Sequence, residues 1–279
     1  TPSDVDRSTG VPAAGTPPTA RFPKFQRATL SNGLKIILAE RPSIPQVNFE
    51  LLVDAGYAAD QSVLAGTASM ALDMMDEGTK TRNALQISEE LALLGAELST
   101  GSNLDMSSVS LSALKDNLDK SLDLYADVIL NPSFPPEELE RLRKQRLARI
   151  QQEKARPVTM SLRVFPALLY GKGHAYGNPL TGSGTEETVK NLTLKDVEDY
   201  HARFITSRGA KLVVVGDVTQ KEILGRLGFL AKLPDREIKL PAIPAAPAIE
   251  KTRIYLVDVP KAAQTEFRVG CVTGLKYDA

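Results

Sequence analysis

Residues 66–79, GTASMALDMMDEGT, decide how this chain is read. Ala68, Ala71, Leu72 and Met75 recur at the spacing of a helix core, and the pattern predicts a helix over 63–76. Ser69, Asp73 and Asp76 put polar groups on the same short segment. Asp73 and Glu77 stand four apart, so they are expected to share a face. Two carboxylates without a histidine make a weak transition-metal site. The segment is a reactive helix, a damaged one, or plain packing.

The flanks set the fold class. RATLSNGLKIILAE (27–40) holds a Ser-Asn-Gly turn between two strand-like runs, a hairpin signal. PQVNFELLVDAG (45–56) continues as a strand ending in Gly56. Residues 84–94 have helical apolar spacing and Gly95 as a stop. MSSVSLSALK (106–115) alternates as a half-buried strand. Helices are expected over 116–130 and 136–155, the second opened by Pro135 and Pro136. Thr193 and Asp196 open a helix to Phe204, KLVVVGDV (211–218) is a buried strand, and Thr219 with Glu222 forms a capping box. Hairpins mixed with helices predict an α+β domain with a mostly antiparallel sheet.

Composition excludes several function classes. Lys+Arg and Asp+Glu both total 34, so no global charge recruits nucleic acid or an anionic membrane. The single cysteine, Cys271, excludes an internal disulfide framework and a cysteine-rich zinc site. No apolar run reaches the roughly 18 residues that a membrane span needs. Residues 1–23 carry five prolines and lack the basic start and apolar core of a secretory signal; they are expected to be a disordered arm or connector. KLPDREIKLPAIPAAPAIE (232–250) reads as a proline-rich linker after a first domain at 24–231. The 29 residues at 251–279 are too few for a domain and read as the start of a truncated second one.

Catalytic motifs are scarce. His174 lies in the loop GKGHAYGNP and His201 in the helix-like VEDYHARF. A two-histidine metal or acid–base site is the sharp interpretation, and solvated or packed histidines are the commoner one. Neither HExxH, HxxEH nor GxSxG occurs. YGNPLTGSGTEE lacks the spacing and lysine of a phosphate loop and reads as a structural turn. ELERLRKQRLARIQQEKARP (138–157) places acids first and bases last, matching the helix dipole of a solvated face. The residues alone stop at an α+β domain with no visible active site.

A longer pattern carries further. LSNGLKIILAE, VDAG, GTASMALDMMDEGT, LNPSFPPEELERLRKQRLARIQQEKARP and GHAYGNPLTGSGTEETVKNLTLKDVEDYHARFITSRGAKLVVVGDV follow one another in an order that resembles the pitrilysin/insulinase family of zinc metallopeptidases, whose inverted motif is HxxEH. LVDVPKAAQTEFRVG resembles the opening of that family's second repeat, so the likeness covers roughly residues 25–279. The resemblance implies the LuxS/mitochondrial-processing-peptidase-like metallohydrolase fold. It puts the first zinc histidine on Ser69, the water-activating glutamate on Leu72 and the second histidine on Asp73. Counting back from Pro157 puts the third ligand, a glutamate, on Arg149.

Every functional position is thus replaced. Leu72 takes no proton from water, and Arg149 repels a divalent cation. Asp73 and Arg149 are expected either to form an ion pair where zinc would bridge two helices, or both to face solvent. The resemblance implies a catalytically inactive half of a clamshell peptide chamber, without zinc of its own. A zinc-bearing half, in the same polypeptide or a separate subunit, would supply the metal and act on peptide substrates. The alternatives are a non-proteolytic scaffold or peptide-binding module without an active partner, and a relocated metal site at His174 or His201. No nucleic-acid partner or membrane insertion is implied, and a bacterial periplasm or cell envelope is the expected location.

Overall fold

The Ser-Asn-Gly turn closes the hairpin expected of it. Gly33 adopts φ +84°, and β1 (Phe25–Thr29) pairs antiparallel with β2 (Lys35–Glu40), Phe25 opposite Ala39. The computed structural model describes residues 15, 16, 19 and 23–273. β3 (Gln46–Val53) follows, then a 3-10 turn at Tyr57–Ser62 and α1 (Thr67–Asp73). Next come α2 (Ala84–Leu94), β4 (Glu97–Ser102), β5 (Ser107–Leu114), α3 (Leu118–Leu130) and α4 (Pro136–Ala155). α5 (Pro157–Tyr170), α6 (Glu186–Asn191), α7 (Leu194–Phe204), β6 (Ala210–Gly216) and α8 (Gln220–Arg226) complete the order.

One six-stranded sheet runs β1-β2-β6-β3-β5-β4, antiparallel throughout except for the β2–β6 pair. This is the α+β, mostly antiparallel architecture expected. Alternation decides which face is buried: Val47, Phe49, Leu51 and Val53 of β3 align with Ala113, Leu111 and Val109 of β5 and with Leu212 and Val214 of β6. α1 and α3 pack on that side, and α1 also lies against α7. The other face carries polar and small residues such as Asn48, Glu50, Ser110 and Lys211.

Local signals hold at several helix ends. Asn83 and Gln86 form a capping box on α2, and Gly95 ends it at φ +61°. Thr193 with Asp196 and Thr219 with Glu222 cap α7 and α8 as expected. Gly56 is required for a different reason: a Cβ there would run into the carbonyl oxygens of Asn103 and Leu104 and the amide of Met106. Those atoms belong to the β4–β5 connection, which bonds back through Tyr57 N–H to Asn103 O at 2.9 Å. Gly56→Ala is therefore expected to lower stability by about 3 kcal/mol through forced backbone displacement, read as a fall in the thermal unfolding midpoint.

Two features depart from the sequence expectations. Helix α1 is shorter than 63–76: it begins after Gly66, at φ +99°, and ends at Asp73. Asp73 and Glu77 therefore share no helical face, and Glu77 pairs with Arg141 instead. The helices α5 and α6 and the edge strand β4 lie where no regular element was expected. Residues 233–250 hold no helix or strand but are tied down, with Arg203 Nη2 donating to Lys239 O at 3.1 Å. Residues 251–273 also lack regular structure, and Ile254, Leu256, Phe267 and Val269 are exposed there. The arm expected over 1–23 lies largely outside the described residues. No described helix is long and apolar enough to cross a membrane.

Candidate functional site

Helix α1 receives its cap from outside. Gly66 has no side chain to offer, and Asp60 fills the role: its carboxylate accepts from Gly66 N–H at 2.8 Å and from Ala68 N–H at 3.0 Å. Burial pushes the Asp60 carboxyl up to about 7, against the pull of those amides and of Arg146. Gly66 abuts Gly184 of the loop between α5 and α6, and Gly182 of the same loop lies against Ser69 Oγ and the Tyr57 ring. Gly182 and Gly184 have φ +65° and +71°. The loop is the structural turn expected, and it closes over the start of α1.

The positions that the resemblance singles out sort by face. Leu72 is wholly buried in the core, and Ser69 is nearly so beneath the Gly182 loop. Asp73, at the last turn, is partly exposed and accepts from Arg146 Nη2 of α4. Arg146 is buried, with 7% of its side chain exposed, and its Nη1 donates to Gly182 O at 3.3 Å. Burial raises the Asp73 carboxyl, while Arg146 and, less strongly, Arg149 draw it down. Asp76 is pushed up to about 6 by burial, with Glu77 and Asp73 adding repulsion.

The ion pair on Asp73 is thus made by Arg146, not by Arg149. Arg149 is 62% exposed and its Nε donates to Glu153 Oε1 at 3.1 Å. The inward face of α4 runs through Leu139, Arg146, Ile150 and Glu153, and position 149 lies off it. The charged run of α4 is consequently no simple solvated face, since it buries two of its charges. Glu153 Oε2 accepts from Arg163 Nη1 at 2.6 Å, Ser183 Oγ at 2.8 Å and Thr181 Oγ1 at 3.2 Å. Arg163 also donates to Ser183 Oγ at 2.6 Å and to Gly184 O at 2.8 Å. Burial raises the Glu153 carboxyl, but these donors outweigh it and hold it below the usual range.

These residues do not fit zinc. The dication takes nitrogen, thiolate or carboxylate donors, about four in number. Positions 69, 72 and 73 supply a hydroxyl, an aliphatic chain and one carboxylate, and the carboxylate is taken up by a guanidinium. Among the described residues no three of His, Cys, Asp and Glu gather at metal-binding range.

The two histidines belong to separate surroundings. His201 Nε2–H donates to Ile129 O at 3.0 Å beside Phe134, and burial pushes its pKa down. His174 Nδ1 accepts from Tyr176 N–H at 3.0 Å, and its Nε2–H donates to Pro244 O at 2.9 Å, beside Tyr170. A carbonyl only accepts, so the His174 tautomer is fixed. Both rings pack and tie backbone together, and they do not combine into the shared site considered above. Asp60, Arg146, Glu153 and Arg163 escaped the sequence reading. The spacing Leu139, Arg146, Ile150, Glu153 was the available signal for the two on α4.

Residues 35–182 match the family profile described as insulinase (peptidase family M16), and residues 191–274 match one described as the peptidase M16 inactive domain. An uncharacterized zinc protease of Mycobacterium leprae is 26% identical over 205 residues, 74% of this chain and 45% of that protein. The mitochondrial-processing peptidase subunit beta of Rattus norvegicus is 27% identical over 227 residues, 80% of this chain and 45% of that protein. The crystal structure of a peptidase M16 inactive domain from Pseudomonas fluorescens superposes with a TM-score of 0.74 at 25% identity, covering 80% of this chain and 54% of that one. The periplasmic protease PqqL from Escherichia coli gives 0.69 at 20% identity, covering 82% and 26%. The chain spans less than half the length of the two sequence relatives.

Proposed function

This chain belongs to the insulinase family of peptidases, M16, and we propose that within it the chain forms a catalytically silent half of a peptide chamber, beside a zinc-bearing half. The observation that carries the proposal is the Asp73–Arg146 ion pair, with Leu72 buried beside it. Hydrolysis in this family requires a metal-polarised water and a base to take its proton. Leu72 offers no base, and the guanidinium, charged at every accessible pH, offers neither a base nor a metal ligand. The chain contributes wall and docking surface instead. β4 ends the sheet with one edge unpaired by any described strand, and an extended peptide fits such an edge through main-chain hydrogen bonds. A scaffold or peptide-binding role without an active half shares that edge.

A periplasmic or envelope location is proposed with this role, in keeping with the periplasmic protease among the structural neighbours. The test uses the purified chain alone. Elemental analysis is expected to find no stoichiometric zinc, and quenched fluorescent peptides are expected to stay intact. Stoichiometric zinc with chelator-sensitive cleavage overturns the proposal. Restored cleavage on adding an intact zinc-bearing half favours the chamber over the scaffold.

A further inference from the structure

A guanidinium with 7% of its side chain exposed has left most of its water behind, and such a charge persists only where fixed partners compensate it. Arg146 has them in separate parts of the chain. Its own backbone is in α4, its carboxylate partner Asp73 ends α1, and its carbonyl partner Gly182 belongs to the loop over the start of α1. Asp60, which caps α1, also feels its positive charge. About two turns further along α4, Glu153 repeats the arrangement with opposite sign, reaching Arg163 of α5 and Ser183 of the same loop. Two stacked ionic ties therefore hold α4, α5 and the 179–184 loop together, and the Arg146 tie reaches α1.

We propose that Arg146 is a built-in cation: its guanidinium performs the cross-linking of α1 to α4 that a metal dication would perform, and its charge bars such a dication from residues 69–73. The inference rests on the preceding proposal that this helix holds no zinc. Two consequences distinguish a guanidinium from a metal. It is part of the chain and cannot be removed by a chelator. It also stays charged across the accessible pH range, so metal ligands restored on α1 would still face a fixed positive charge. Ser69 and Asp73 stand four apart on α1, the separation that puts two side chains on one helical face.

The experiment measures zinc alone, by elemental analysis after gel filtration, with circular dichroism confirming that each variant is folded. Ser69→His/Asp73→His, with Arg146 retained, is expected to hold no stoichiometric zinc. Ser69→His/Asp73→His/Arg146→Glu, which trades the cation for a carboxylate, is expected to hold about one zinc per chain. Equal zinc uptake by both, or none by a folded triple variant, overturns the inference. A second measurement is independent of those variants. Arg146→Gln in the otherwise unchanged chain is expected to lower the melting temperature by on the order of 10 °C. The reversed pair Asp73→Arg/Arg146→Asp is expected to recover at least about half of that shift. An Arg146→Gln chain that melts like its parent overturns the cross-link. Zinc in the unaltered chain would instead defeat the proposed function, so the two failures are distinguishable.

Discussion

Glutamate in place of Leu72 is expected to cost the domain about 4 kcal/mol or more and to restore no cleavage. The side chain at 72 is wholly buried, among the largest such residues of the core, on a helix packed between the sheet and α7. A carboxyl group there either stays protonated, losing the hydrogen bonds of water, or ionises and drags water into the core. Its folded pKa is raised in both cases, because burial disfavours the charge. Such a group stabilises the fold relatively below its unfolded pKa, near 4, and the contribution is lost as pH rises through the higher folded value. The variant should therefore be weaker at pH 8 than at pH 5. Leu72→Met, close in volume, is expected to cost less than about 1.5 kcal/mol. Urea unfolding at the two pH values checks both statements. A Leu72→Glu chain as stable as its parent would mean that position 72 faces water, as a catalytic glutamate must.

Glu153→Ala is expected to cost about 3–5 kcal/mol, because it leaves the Arg163 guanidinium buried without its carboxylate. Both partners are nearly inaccessible, at 7% and 6% exposure, so solvent screening takes little away. Ser183, Thr181 and Arg149 lose an acceptor at the same time. The Glu153 pKa is lowered in the folded chain, so its contribution is complete above the usual carboxylate range and lost as pH falls through the lower folded value. Asp127, held low by Thr79, Thr81, Asn131 and Arg82 against the opposing effect of burial, adds to the same acid limb. Glu153→Gln is therefore expected to flatten the loss of melting temperature below about pH 4 without abolishing it. An unchanged acid limb would show that the carboxylate is not ionised in its network.

Where backbone punctuation or strict alternation dictates structure, the sequence was legible. Gly33 and Gly95 announce positive φ, Thr193 and Thr219 announce helix starts, and the valine run at 213–215 announces a buried strand. β4 was invisible because Leu98 is its one large apolar residue, as suits an edge strand. α5 was obscured by Pro157 at its first position and Pro166 inside it. At the candidate site, resemblance singles out positions 69, 72 and 73, but it does not disclose the partners their side chains take. Counting back from a proline reached Arg149 on the exposed side of α4. The burial that selects Arg146 and Glu153 depends on loop residues Gly182 and Ser183, some 30 or more positions away, which no local pattern discloses.

The placement of β6 bears on how the domain comes into being. β2 and β3 are consecutive, yet they do not pair; β6, the last of the six strands to be synthesised, sits between them. Until residue 216 is available, β2 and β3 lack the strand that lies between them in the finished sheet, and each would offer an open edge. Open edges of that kind invite mispairing with other chains. The middle of the sheet is closed late, and a growing polypeptide must be shielded along both edges until it is.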